Sequence, residues 1–181
     1  MTNFEEKTIQ SKQIFKGRVI NVQVDEVTLP NGKTSNRELV KHPGAVAVIA
    51  VTKENKIIFV EQYRKPLEKS IVEIPAGKLE LGEEPIVTAK RELEEETGYT
   101  TNELELVSSF YTSPGFADEI LYIFFTDKLE LLTETKDLDE DEFVELMELS
   151  LEDALELIKQ QKIHDAKTIF AIQYLQLKGM K

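Results

Sequence analysis

Residues 77–99 read GKLELGEEPIVTAKRELEEETGY and follow the spacing G-x5-E-x7-R-E-U-x-E-E-x-G-U, where U is apolar or aromatic. Gly77, Glu83, Arg91, Glu92, Leu93, Glu95, Glu96, Gly98 and Tyr99 fill every specified position. Ordinary residue frequencies give a chance match of roughly one in a million in a chain of this length, so the pattern is informative. Pro85 suits a first helical position, where its missing N–H costs nothing, and Gly98 suits the left-handed stop. Between them the sequence predicts a helix of about 13 residues. At about 100° per residue, Ile86, Ala89 and Leu93 gather into one apolar stripe. Glu92 and Glu96 fall one turn apart at its edge; Glu95 lies further round on the same side, and Glu94 points elsewhere.

Carboxylates spaced i and i+4 repel by a few tenths of a kcal/mol, and partial burial adds to the penalty. A bound cation removes both costs. Hard oxygen donors without thiols suit Mg²⁺ or Mn²⁺, held by one or two carboxylates together with phosphates and water. A solvated acidic face is the ordinary reading of a Glu-rich helix; here the full spacing argues against it.

Outside this stretch, composition narrows the classes. The chain has 181 residues, 41% of them apolar, with nine Phe and five Tyr, enough for one domain with a substantial core. Zero Cys excludes a disulfide framework, a thiolate nucleophile and a zinc–sulfur centre. No apolar run approaches the roughly 18 residues of a membrane span, and MTNFEEKTIQ is unlike a signal peptide, so the cytoplasm is the expected setting and no membrane partner is. A net charge of −12 argues against nonspecific nucleic-acid binding. His42 and His164 are the only histidines, and no G-x-S-x-G elbow accompanies them. Both are read as structural or surface residues, which leaves acid–base work to carboxylates, arginines and metal.

Residues 5–13 and 18–29 read as strands, and Pro30-Asn31-Gly32 turns the chain into TSNRELVKH. GAVAVIAV and KIIFVEQYR are apolar strands, and IVEIPAG leads into the 77–99 stretch. After the helix come ELELVSSFYTS, EILYIFFTDKL, an acidic run and FVELMELS. Ser150 with Asp153 predicts a capped helix over 151–161, and a last helix runs from about Ala166 to Leu177.

The 77–99 spacing resembles the Nudix box of hydrolases that cut a diphosphate linked to another moiety. The resemblance spans roughly residues 40–178. It implies an α+β fold, an α/β/α sandwich with a mixed β-sheet, preceded by an N-terminal β-strand segment. The expected division is 1–42, a hairpin and dimerisation segment, and 43–181, the hydrolase domain, with a homodimer as the assembly. Pro114 follows Tyr99 by 15 positions in SPGFADE, and EQYR, EIPAG and NRELVKHPGAVAV also resemble the ADP-ribose pyrophosphatase subgroup.

That resemblance implies Mg-dependent hydrolysis of ADP-ribose to AMP and ribose 5-phosphate. Another nucleoside diphosphate sugar such as GDP-mannose, or a ligand sensor without catalysis, are the alternatives. By the same carry-over, the Ala76 carbonyl, Glu92 and Glu96 are metal ligands, with Glu95 auxiliary and in part catalytic. Arg18, Arg37, Glu38, Arg64, Ser113, Gly115 and Glu119 are substrate-binding candidates. Gly77, Glu83 and Arg91 support the box, Arg91 pairing with Glu83. Glu142, or else Glu140, is the candidate base, carried on the acidic run. An anionic diphosphate is an odd guest for so acidic a chain unless divalent ions invert the local sign.

Overall fold

The computed structural model describes residues 4–134 and 143–180. Its strands are β1 (Lys7–Lys16), β2 (Asn21–Thr28), β3 (Thr34–Lys41), β4 (Ala45–Ala50), β5 (Ile57–Arg64), β6 (Lys69–Glu73) and β7 (Ala76–Lys78). Helix α1 (Pro85–Thr97) comes next, then β8 (Tyr99–Thr100), β9 (Glu105–Tyr111), β10 (Ile120–Thr126), β11 (Glu130–Leu131) and β12 (Val144–Leu149). Helices α2 (Leu151–Lys159) and α3 (Ala166–Leu177) end the chain. The class is α+β.

The chain forms two compact units: Met1–Gly44 with Phe110–Leu121, and Ala45–Ser109 with Tyr122–Lys181. In the first, β1, β2 and β3 make an antiparallel sheet in that order. A turn closed by the Gly17 N–H on the Ile20 carbonyl (2.9 Å) joins β1 to β2. All ten positions of β1 are exposed, including the apolar Ile9, Ile14 and Phe15. The loop 113–118 lies along β3. The Val40 N–H donates to the Phe116 carbonyl (2.8 Å), and Asp118 accepts from Lys41 Nζ and the His42 N–H, both at 2.9 Å.

In the second unit, β4 is buried on both faces, which explains its unbroken apolar run. Val46, Val48, Ala50 and Ile58 pack with Ala89 and Leu93 of α1, Phe124 and Leu129. β7 pairs antiparallel with β4, setting Ala76 opposite Ala47 and Gly77 opposite Val46. β5 sits between β6 and β12. Ser150 and Asp153 form the capping box of α2. That helix stops at Lys159, before the expected 161, because Gln161 takes a left-handed φ of 57°. The Gln161 N–H then bonds to the Ile158 carbonyl and the Lys162 N–H to the Leu157 carbonyl, closing a Schellman stop.

Helix α1 runs Pro85–Thr97, with Gly98 at φ 70° donating to the Glu94 carbonyl. Its buried side differs from the sequence expectation. Ala89 and Leu93 are fully buried, but Ile86, in the first turn, is 46% exposed. Ile86 and Val87 instead line an outer cleft of about 460 Å³ with Lys90 and Leu104. Thr88, Glu92, Glu96 and Thr97 complete the buried face. Glu94 is also buried, since the chain doubles back through Gly98 and the Thr100 hydroxyl donates to its carboxylate.

Candidate functional site

The 77–99 helix and the strand before it build one acidic centre. Gly77 lies so close to α1 that a Cβ there would stand 1.8 Å from Glu92 Cδ and 2.0 Å from its Oε1. Only glycine permits that approach. Beside it, the Ala76 N–H donates to Glu96 Oε2 at 2.9 Å. Glu92 and Glu96, each 7% exposed, therefore face the Ala76–Gly77 backbone side by side.

Arg91 ties the surrounding carboxylates together. Its Nη1 donates to Glu92 Oε1 (2.8 Å) and Glu95 Oε2 (3.0 Å), while Nη2 reaches Glu83 Oε2 at 3.4 Å. Thr88 Oγ1 donates to the same Glu83 oxygen at 2.7 Å. Burial works against the guanidinium charge, but Glu92, Glu95 and Glu83 outweigh it and drive the Arg91 pKa up. Glu83 in turn is held below the usual carboxylate range, first by Thr88 and then, against some burial, by Arg91. Arg91 Nε is buried and has no acceptor among the described residues.

The donor chemistry fits a hard divalent cation. Two nearly buried carboxylates one turn apart lie against a glycine-lined backbone, and every donor is oxygen. Among the described residues no three acidic or histidine side chains converge as an all-protein cage. Mg²⁺ does not ask for one, since it takes one or two carboxylates and completes its shell with phosphate and water.

A second charge cluster stands in the same unit. Arg64, at the end of β5, grips Glu73 bidentately, Nε to Oε1 at 2.7 Å and Nη2 to Oε2 at 2.8 Å. Lys167 of α3 also donates to Glu73 Oε2, and to Asp165 Oδ2 at 2.9 Å. Glu73 raises the Arg64 pKa against the pull of burial, and the charges of Glu96 and Asp165 add to it.

In the first unit, Arg37 of β3 forms a fork with Glu6, Nε to Oε2 at 2.7 Å and Nη2 to Oε1 at 2.5 Å. Glu38 is exposed on the same strand, and Arg18 is exposed in the turn after β1. The Ser113 carbonyl accepts from the Phe116 and Ala117 N–H groups, and Gly115 has open space on its Cβ side. Glu119 accepts from the Thr112 hydroxyl and lies 3.6 Å from His42 Nδ1. Glu140 and Glu142 lie outside the described residues.

Glu73, Lys167, Asp165 and Asp118 were not among the sequence candidates. Glu73 carried a signal, a charged residue inside the apolar run IVEI. Lys167 carried none, since nothing local marks a lysine near a helix start.

Residues 41–171 match the model of the NUDIX domain, and residues 6–40 match that of the nucleoside diphosphate sugar hydrolase N-terminal domain. The chain is 65% identical to an ADP-ribose pyrophosphatase of Bacillus subtilis over 178 residues, 98% of this chain and 96% of the relative. It is also 65% identical to a methanol dehydrogenase activator of Bacillus methanolicus, covering 96% of this chain and 94% of that one. A solved structure titled as an ADP compounds hydrolase superposes with a TM-score of 0.83 over 98% of this chain and 97% of that chain. At 20% identity this last likeness speaks for the fold alone.

Proposed function

The chain belongs to the Nudix family, and from that footing we propose that it is a divalent-cation-dependent pyrophosphatase cutting ADP-ribose to AMP and ribose 5-phosphate. The 65% identity to an ADP-ribose pyrophosphatase across nearly the whole of both chains carries the reading. Glu92, Glu96 and the Ala76 carbonyl, with Glu95 beside them, would hold Mg²⁺ or Mn²⁺. A bound divalent ion supplies charge neutralisation on the diphosphate and polarises its phosphoryl oxygens.

The remaining work falls to the chain. Gly77 lets the loop backbone lie against Glu92, and Arg91 keeps Glu83, Glu92 and Glu95 in fixed orientations. Arg64 offers its guanidinium to a phosphate, as Arg37 does to phosphate or the adenosine end. Glu38, Ser113, Gly115, Glu119 and Arg18 of the first unit are the further candidates for substrate contacts. Glu142, or Glu140, takes the proton of the attacking water. The assembly is a homodimer in the cytoplasm. The wholly exposed β1, with its apolar Ile9, Ile14 and Phe15, supports the dimer as a surface suited to a second copy.

A substrate panel with Mg²⁺, read by phosphomonoester release, tests the reaction. ADP-ribose should be cleaved well ahead of GDP-mannose. Hydrolysis in oxygen-labelled water, with mass analysis of both products, locates the attacked phosphorus. Failure to cleave any nucleoside diphosphate sugar would overturn the assignment.

The equal likeness to a methanol dehydrogenase activator favours a second role built on the same chemistry. Adding the protein to a methanol dehydrogenase should then raise its turnover, and a Glu96→Gln variant should not.

A further inference from the structure

Glu73 is 2% exposed, at the end of a strand whose neighbours Ile71, Val72 and Ile74 are core residues. A buried carboxylate is unfavourable unless cations and donors meet it. Here Arg64 arrives from β5 and Lys167 from α3, with Asp165 steadying the lysine. Such a cluster is a poorer way to join β6 to α3 than apolar packing of the same volume. The Ile74 N–H already makes that join by donating to Thr168 Oγ1 at 3.0 Å. The join alone therefore does not account for the charges.

Arg64 is where the cluster meets solvent. Its side chain is 39% exposed, and Glu73 takes only the Nε–Nη2 edge. Nη1 donates to no acceptor among the described residues, and Glu96 is close enough to act on the guanidinium charge. A guanidinium fixed along one edge by a carboxylate presents the other in a set direction, the arrangement that suits an oxyanion. Lys167 cannot follow Arg64 outward. Its own N–H and Nζ both donate to Asp165 Oδ2, so it stays behind Glu73 and holds that carboxylate in register.

We infer that Glu73, backed by Lys167, is a positioning residue that aims Arg64 Nη1 at a substrate phosphate beside Glu96. The inference rests on the reading of Arg64 as a phosphate contact. It adds that the aim is set from within the core, by a residue that never touches substrate. Removing the Glu73 charge leaves Arg64 and Lys167 facing each other, and Arg64 turns outward.

A double-mutant cycle tests this. Glu73→Gln and Arg64→Ala, each alone, should raise KM for ADP-ribose about tenfold with kcat within about threefold, and the double variant should be no worse than Arg64→Ala alone. A purely structural Glu73 would multiply its defect into the Arg64→Ala background, which overturns the inference, as does a fall in kcat at unchanged KM. Glu73→Asp keeps the charge balance and withdraws the carboxylate by one methylene. It replaces Glu73→Gln should that variant not fold, with a smaller KM rise that must also vanish in the Arg64→Ala background. If the wild type ignores ADP-ribose but cleaves another nucleoside diphosphate sugar, the substrate assignment fails and the same cycle run on that sugar still decides the role of Glu73. If it cleaves none, calorimetric binding of ADP-ribose across the four proteins decides it.

Discussion

Replacing Gly77 by alanine perturbs the acidic centre by one methyl group. The added Cβ would stand 1.8 Å from Glu92 Cδ, whereas ordinary contact begins at 3.4 Å, so the carboxylate or the β7 backbone must move by about 1.6 Å. The backbone is held on both sides, by β4 pairing at Gly77 and by the Ala76–Glu96 hydrogen bond. Glu92 is the softer partner, although Arg91 holds one of its oxygens at 2.8 Å. The carboxylate therefore swings away from Ala76 and from Glu96. Misplacing a reacting constellation by about 1 Å costs on the order of 10²-fold in rate, so kcat/KM should fall at least that far.

Overpacking of this kind also removes about 1–3 kcal/mol of stability, and each kcal/mol lowers Tm by roughly 2–4 °C at this chain length. Phosphomonoester release measured across a Mg²⁺ titration separates the two effects. Gly77→Ala should need more Mg²⁺ for half-maximal rate even at temperatures where it is fully folded. Gly82→Ala is the matched control. Its φ of 83° strains an alanine, but no heavy atom lies within 4 Å of the new Cβ. It should lose about 1 kcal/mol of stability and keep its activity. A Gly77→Ala protein with kcat/KM and Mg²⁺ dependence both within about threefold of wild type would refute the reasoning.

Glu96→Gln keeps the size of the side chain and removes its charge, and its rate should drop by several orders of magnitude on the order of 10³ or more; near-normal turnover would remove Glu96 from the site. Glu73 titrates below its ordinary 4.5, because Arg64 and Lys167 outweigh a burial that alone would raise it. Its ionic contribution to stability is therefore complete above 4.5 and is lost as pH falls through the depressed folded value. Thermal melts of wild type and Glu73→Gln should accordingly differ most near neutrality and converge on the acid side of 4.5, whereas a constant difference would contradict the buried pair. Chelating divalent ions should abolish substrate binding as well as turnover, and calorimetry showing undiminished affinity for ADP-ribose under chelation would count against an ion-bridged diphosphate.

The parts legible in the sequence were those encoded locally. Pro85 and Gly98 bracket α1 because each acts through its own backbone, and Ser150 with Asp153 caps α2 across three residues. Ala89 and Leu93 sit opposite β4 as helical spacing dictates. Ile86 belongs to the same stripe but stands 46% exposed in the first turn, since periodicity marks a face of the helix and not how far along it the cover extends. Glu94 went the other way, since its burial depends on the chain returning after Gly98. The Glu73–Lys167 contact joins residues 94 apart, and no window of sequence holds both. Arg64 was legible as a candidate, but what fixes its direction was not, because that is a property of β5, β6 and α3 together.

The charges of the second unit also explain why so acidic a chain can serve an anionic substrate. Around α1, the carboxylates of Glu83, Glu92 and Glu95 converge on the single guanidinium of Arg91, and Glu96 lies alongside. Arg91 directs both terminal nitrogens to these carboxylates and keeps its Nε buried, so its charge is already outnumbered before a phosphate arrives. The neighbouring cluster sets Arg64 and Lys167 against Glu73 and Asp165 and is formally neutral. A diphosphate approaching this face therefore meets a net negative field, softened at one point by Arg64 Nη1. Only added positive charge reverses it, and the oxygen donors there suit divalent ions better than any remaining lysine or arginine. On the proposed reading, the same carboxylates that would repel the substrate alone would recruit the ions that admit it. Activity should therefore, on that reading, depend on divalent cations already at the binding step, before any bond is broken.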